Sequence, residues 1–517
     1  MIILHPFQTR KDQLRNQTHS TISVAAISIL YLSATTVSSL LFAKTTTITA
    51  FRCCGAKTRS VYRFSSSSSV SDMFQTNKNV TTDRTSSKTT TTTSFTVGNR
   101  IEQTAEPCVI LMKQITSQYA DLWKDKGGIY SLAQGIVYWA PPPTAYTAIS
   151  NALTDANTNR DLHLYNPADG IPDLVEALKE KLRKENCLEN VSVMVTAGAN
   201  QAYMNCILTL LNEGQTCVLF QPYYFNHLMA IQMTWGEDSI LVGPTNQDGI
   251  PDADWLEQQL VEQQVSTKPK IQMVTLVDPC NPTGIKISNS TKQRIVNLCQ
   301  QYGVWVVMDN TYEHFDHTSL HNTNNHHLLF PCPNYPHVIN IFSFSKGYSL
   351  AGFRVGYLTV SNTTMESRRM YHHMLKVQDT IPICASRISQ LAALGAMQSS
   401  GGRQWVMEQV ATLNVGREAV KRALSSLEQV IGGSGAMYFM AKLPCSLDDV
   451  EFATTLVRDY GVAVIPGSFC GAPGWIRVCY SNLEPSLCIE AAERLAKGIQ
   501  SISTGRVQDG RQQQVTK

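Results

Sequence analysis

The sequence predicts an α/β fold in which a mostly parallel sheet is covered by helices, on a chain whose first hundred residues stand apart. Three observations predict it. Beyond residue 100, short β-branched runs alternate with helix-length amphipathic segments, the pattern of βαβ units. Of the 517 residues 43% are hydrophobic and 16% charged, which supplies the core of a two-lobed protein and excludes a disordered or collagen-like chain. Five of the runs end in polar or aromatic residues, and open α/β sheets bind ligands outside the carboxyl ends of their strands.

Residues 1–100 hold 12 Lys/Arg against Asp12, Asp72 and Asp83, whereas 101–517 hold 31 basic and 37 acidic residues. A mildly acidic body speaks against a nucleic-acid partner. Ile22 to Ala43 is uncharged and preceded by Arg10, Lys11 and Arg15, but seven of its 22 residues are Ser or Thr, which weakens it as a membrane helix. The tract after it, rich in Ser, Thr and Arg, has the composition of an organellar targeting sequence. With the step Ala50-Phe51 it resembles the bipartite plastid presequence of algae with complex plastids. A mitochondrial presequence ranks second, and an uncleaved anchor or a cytoplasmic product starting at Met73 stays open. Membrane contact is expected only through this presequence. The body divides into 101–165 as N-terminal arm and part of a small domain, 166–375 as large domain, 376–505 as C-terminal small domain and 506–517 as polar tail. The 14 Cys form no C-x-x-C pair and read as small buried hydrophobes in a reducing compartment.

In order, Val193 to Val195 leads into Thr196-Ala-Gly198-Ala-Asn200, Cys217 to Phe220 into Gln221-Pro-Tyr-Tyr224, and Ile271 to Val277 into Asp278-Pro-Cys-Asn281-Pro-Thr-Gly284. Val304 to Met308 leads into Asp309-Asn-Thr-Tyr312, and Val338 to Ile341 into Phe342-Ser343-Phe-Ser345-Lys346. Gly198 before a helix can present the amides of Ala199 and Asn200 to a phosphate, although such a glycine is usually a turn. Asn-Pro and Thr-Gly also mark ordinary turns. Asp309 after an apolar strand needs a cationic or hydrogen-bonding partner, or else caps a helix. Lys346 lies eight residues before Arg354 in a glycine-flanked segment, a poor place for a solvated charge. Near a desolvated cationic site a lysine has a lowered pKa and attacks aldehydes.

Asn281-Pro-Thr-Gly, Asp309-x-x-Tyr312, Ser343-x-Ser345-Lys346 and Gly352-Phe-Arg354-Val-Gly together resemble the class I/II aminotransferases, pyridoxal-phosphate enzymes of fold type I, over about residues 105 to 500. The segments Ser131 to Trp139, Val195 to Gln201, Pro222 to Asn226, Asp309 to Phe315 and Gln378 to Cys384 resemble the plant aromatic aminotransferases that act on phenylalanine, tyrosine, tryptophan and methionine. Asn310 stands where most of the wider family has Glu, as in that plant subgroup.

The resemblance implies a ping-pong aminotransferase working between an amino acid and a 2-oxo acid, with pyridoxal 5'-phosphate as cofactor. It implies that Lys346 carries the cofactor's aldehyde and later moves the substrate proton, that Asp309 pairs with the ring nitrogen, and that Tyr312 and Asn281 bond the ring hydroxyl oxygen. Tyr224 would stack on the ring, and Ser343, Arg354 and the amides of Ala199 and Asn200 would take the phosphate. Tyr165 would reach the phosphate of the opposite subunit, which implies a homodimer with shared sites. Arg477 would bind the substrate α-carboxylate, with Gly135 closing the other side, Asn281 beside it and Trp139, next to Tyr138, on the substrate wall. Without the family order Tyr165 reads as a core tyrosine and Arg477 as a surface arginine.

His314, His317, His321, His326 and His327 crowd a polar segment with Glu313 and Asp316 that matches no metal motif and is expected to be a solvated loop. Gly432-Gly-Ser-Gly435 lacks the dinucleotide fingerprint. Other chemistry on the same fold stays open, namely a carbon–sulfur lyase or a cyclopropane-carboxylate synthase. The synthases usually have an acidic residue and a Leu-Pro pair where this chain has Gly347-Tyr-Ser-Leu-Ala-Gly352. An aminotransferase-like regulator would need an upstream helix-turn-helix, which residues 1–100 do not offer. A cofactor-free relative would not need Lys346, Asp309 and Arg477 together.

Overall fold

Both faces of the main sheet are covered, and this explains its β-branched strands. In chain order the strands are β1 (Tyr130–Ser131), β2 (Val191–Thr196), β3 (Gln215–Phe220), β4 (Ile240–Gly243), β5 (Lys270–Val277), β6 (Trp305–Asp309), β7 (Val338–Ser343), β8 (Gly356–Ser361), β9 (Val430–Gly432), β10 (Tyr438–Lys442), β11 (Val462–Ala463), β12 (Ile465–Pro466) and β13 (Trp475–Cys479). They belong to a computed structural model that describes residues 96–155, 160–318, 335–398, 402–444 and 447–503. The apolar stretch Ile22 to Ala43, the rest of the chain before residue 96 and residues 504–517 lie outside the described residues, so the expected presequence and polar tail fall there. Among the described residues no helix is long and apolar enough to cross a membrane.

The main sheet has the order β2-β8-β7-β6-β5-β3-β4. Its neighbours pair in parallel except β8, which runs antiparallel to both β7 and β2. Successive residues serve opposite faces. Val307 and Ile339 pack with Tyr203 and Ile207 of helix Ala199–Leu210, whereas Val306 and Val338 pack with Leu256 and Ile295 of helices Ala253–Glu262 and Asn289–Tyr302. The five β-branched runs are β2, β3, β5, β6 and β7. The sequence reading lacked β4, a short edge strand with Val242 exposed, and β8, which hides behind the glycine-flanked arginine.

A second, antiparallel sheet has the order β12-β13-β10-β9, and β1 pairs in parallel with β11. The amides of Tyr130 and Leu132 donate to Gly461 and Ala463 at 2.8 Å, which ties the segment before the main sheet to the C-terminal half of the chain. Cys206, Cys217, Cys299, Cys470, Cys479 and Cys488 are buried free thiols, as expected of small hydrophobes.

Candidate active site

The carboxyl ends of β2, β5, β6 and β7 and the middle of β13 open onto one cavity of about 700 Å³. Asp309, the last residue of β6, is 5% exposed at its floor. One of its oxygens accepts the amide and hydroxyl of Thr311 at 3.0 and 2.6 Å, and the other lies 3.3 Å from His227 Nε2. Burial pushes this carboxyl up, but His227 and Thr311 together outweigh it and hold it below the ordinary value, so it stays ionised. Lys346 follows β7, and its amine donates to the Gly135 carbonyl at 2.5 Å. Burial, helped by the charges of Arg477 and Arg354, lowers its pKa to about 8. A useful fraction of the amine is therefore neutral, and nucleophilic, near neutral pH.

The Tyr312 hydroxyl lies 3.5 Å from Asn281 Nδ2 and 2.7 Å from the Tyr438 hydroxyl, and burial raises its pKa. Arg477 is 3% exposed; its Nη1 donates to Asn281 Oδ1 and its Nη2 to the Ala133 carbonyl, both at 2.9 Å. Its buried Nε has no partner among the described residues. A buried guanidinium with open donors is a receptor for a carboxylate.

At the other end Gly198, with φ +87°, turns β2 into helix Ala199–Leu210, whose first amides have no helical acceptor. A Cβ on Gly198 would lie 2.4 Å from Arg354 Nη2, and one on Gly356 would lie 3.0 Å from the Ala199 amide. These glycines let a guanidinium approach a helix N-terminus closely, and Ser343 lines the same cavity. The combination suits a dianion.

The family model for aminotransferase class I and II matches residues 129–495. The chain belongs to the class I and II aminotransferases. Over 396 residues, covering 76% of this chain and 94% of the relative, it is 41% identical to aromatic aminotransferase ISS1 of Arabidopsis thaliana. It is 27% identical to a probable aspartate/prephenate aminotransferase of Aquifex aeolicus over 65% of this chain and 84% of that one. In fold it is similar to an aspartate aminotransferase of Thermus thermophilus, with a TM-score of 0.66 and 23% identity over 78% of this chain and all of that one. The protein is thus a fold type I transaminase, and aminotransferases of this class and fold depend on pyridoxal 5'-phosphate. Its cavity fits that cofactor: a buried amine for the aldehyde, an ionised carboxylate for the ring nitrogen and a guanidinium with helix amides for the phosphate line one cavity.

Of the residues expected from the sequence, Gly135, Ala199, Asn200, Tyr224, Asn281, Asp309, Tyr312, Ser343, Lys346, Arg354 and Arg477 all line this cavity. Tyr165 does not; it is 80% exposed on its own chain. Trp139 is a correction. It is buried off the cavity wall, donating its indole N–H to the Gly347 carbonyl at 3.2 Å and stacking on Phe315, so it buttresses the turn after Lys346. Tyr138 bonds Thr412 instead. The apolar wall comes from Cys108, Met112, Phe225 and Ile465, with Tyr224.

The described part of the histidine-rich segment is not a solvated loop either. His314 and His317 are buried; His314 Nε2 lies 3.2 Å from Glu185, and His317 Nε2 lies 2.8 Å from the Ala436 carbonyl. Lys181 reaches Glu313 at 2.5 Å and supplies the cation of that cluster. His321, His326 and His327 lie outside the described residues. The sequence reading missed His227 and Tyr438. His227 carries a signal, since it follows Tyr224 by one helical turn, but nothing in the sequence joins it to Asp309.

Proposed function

We propose that this aminotransferase prefers aromatic amino acids and methionine, and works as a homodimer with shared sites. The observation that carries the preference is the cavity wall of Cys108, Met112, Tyr224, Phe225 and Ile465 beside Arg477. Arg477 suits the α-carboxylate and Arg354 the phosphate, which leaves an apolar side chain as the group the wall can bury, worth ~1.5 to 3 kcal/mol. Lys113 also lines the cavity, but it is solvent-exposed, and a hydrated ammonium holds a distal carboxylate weakly. The likeness to an aromatic aminotransferase supports the same reading.

Bound pyridoxal phosphate supplies the electron sink that lets the substrate α-proton leave. In the proposed mechanism this chain does the rest. Asp309, kept anionic by His227 and Thr311, would pair with the ring nitrogen and favour its protonated form. Tyr312 and Asn281 would bond the ring oxygen, and Tyr224 would lie against the ring. Arg354, Ser343 and the amides of Ala199 and Asn200 hold the phosphate, and Arg477 orients the α-carboxylate. The Lys346 amine would hold the aldehyde and, once freed, would take and hold the proton of the substrate Cα, a task suited to a base whose pKa is near the working pH. Tyr165 of a second copy completes the phosphate site, consistent with its exposure.

A panel of amino donors tests the preference. Phenylalanine, tryptophan and methionine should exceed aspartate in kcat/KM, and Phe225→Ala should lower kcat/KM for phenylalanine roughly 10-fold or more with little change for alanine. A wide preference for aspartate sinks the specificity and leaves transamination standing. For the shared site, Tyr165→Phe should weaken cofactor retention by about 1 kcal/mol or more. Full activity in a strictly monomeric preparation refutes it.

A further inference from the structure

Tyr438, at the start of β10, is held more tightly than a core aromatic requires. It is 1% exposed, its ring lies 4.6 Å from the Arg477 guanidinium, and its hydroxyl lies 2.7 Å from that of Tyr312. Two backbone glycines shape its seat: a Cβ on Gly135 would lie 2.1 Å from the hydroxyl, and one on Gly284 would lie 1.9 Å from the Tyr438 carbonyl oxygen. Phenylalanine would fill the same space and keep the contact with Arg477, so the hydroxyl needs a reason of its own.

The reason lies in counting protons. A phenol has one proton to donate. If Tyr312 gave its proton to Tyr438, it would have none for the ring oxygen of the cofactor. Tyr438 has no other hydrogen-bond acceptor among the described residues, so donation from Tyr438 to Tyr312 satisfies both hydroxyls and leaves the Tyr312 proton free. Burial raises both pKa values, which keeps both groups protonated donors. The groups whose charge acts on Tyr438 are Arg477, Cys479 and Tyr224, besides Tyr312 itself.

We propose that Tyr438 is a positioning residue that donates its phenolic proton to Tyr312, thereby directing the Tyr312 proton to the ring oxygen of the cofactor, while its ring face supports Arg477. This rests on the roles given above to Tyr312 and Arg477. A hydrogen bond donated to a donor strengthens it cooperatively. A better donor spreads the negative charge of the ring oxygen, which otherwise retains the proton on the nitrogen joining Lys346 to the cofactor.

The test is a spectroscopic pH titration of the resting holoenzyme, read from the visible absorbance of the cofactor. Tyr312→Phe should raise the midpoint. Tyr438→Phe should raise it less, by roughly half a unit. The double variant should shift no further than Tyr312→Phe alone, because Tyr438 acts through Tyr312. Gly135→Ala, whose new methyl would displace the Tyr438 hydroxyl, should raise the midpoint in the natural sequence and not in Tyr438→Phe. An unmoved midpoint in Tyr438→Phe, or a shift that adds in full to that of Tyr312→Phe, overturns the proposal alone. A midpoint unmoved by Tyr312→Phe overturns the role of Tyr312 and this proposal with it.

Discussion

Lys346 shows how a single residue acquires its chemistry from its surroundings. Its amine is buried, and the nearby guanidinium groups of Arg477 and Arg354 disfavour its charged form. In the unfolded chain the same amine has its ordinary pKa of 10.5, against about 8 in the folded protein. Between those values the unfolded state binds more protons, so the stability of the cofactor-free protein should rise from about pH 8 to pH 10.5. Below pH 8 the full penalty of burying a charged lysine is present. Urea unfolding of the cofactor-free protein at a series of pH values measures this, and Lys346→Met should abolish the rise. A pH-independent difference between the two proteins would contradict the burial of a charged amine. Lys346→Ala should also lose turnover by several orders of magnitude while still binding cofactor non-covalently. Borohydride should place the pyridoxyl group of the natural protein on the peptide containing Ser345-Lys346, and an adduct on another lysine sinks the assignment.

Between elements, two local devices hold the strand ends in register. Asp278, after β5, donates its amide to the Asp309 carbonyl at 3.0 Å and accepts the Ile287 amide at 2.8 Å, while its other oxygen pairs with Lys292 of helix Asn289–Tyr302. Both side chains are wholly buried. Removing one partner of such a pair leaves an uncompensated charge, so Lys292→Met should destabilise by about 3 to 5 kcal/mol, and adding Asp278→Asn should recover much of it. Urea unfolding of the two variants decides this; an equal loss in both would mean that the pair contributes only packing. The second device is Gly198. Alanine there would be forced to a φ of +87° with ψ 168°, a region open almost only to glycine, costing roughly 1 to 3 kcal/mol, and its methyl would strike Arg354. Gly198→Ala should therefore raise the dissociation constant for pyridoxal phosphate at least ~10-fold, the effect of losing one charge-assisted hydrogen bond. Unchanged cofactor affinity would show that Arg354 does not hold the phosphate.

At the scale of the whole molecule, the described residues from 96 to 503 belong to one compact unit that contains the cavity and every residue lining it. A chain starting at Val97 should fold and turn over normally. Residues 1–100 fused before a fluorescent protein should carry it into an organelle, a plastid in an alga of matching type, whereas diffuse cytosolic fluorescence would refute a targeting role. The sequence by itself determined five of the seven strands of the main sheet and most of the cavity, because buried parallel strands must be β-branched and their ends must carry the polar groups, so Asp309, Asn281 and Lys346 were legible one strand at a time. Charge counting also separated the first hundred residues from the body. The tertiary structure alone decided who partners whom. His227 meets Asp309, Tyr438 meets Tyr312, and Trp139 turns away from the cavity to stack on Phe315. Side-chain period tells which face of an element is buried, but not which distant element covers it, and a hydrogen bond or a stacked ring between segments far apart in sequence exists only once the chain has packed.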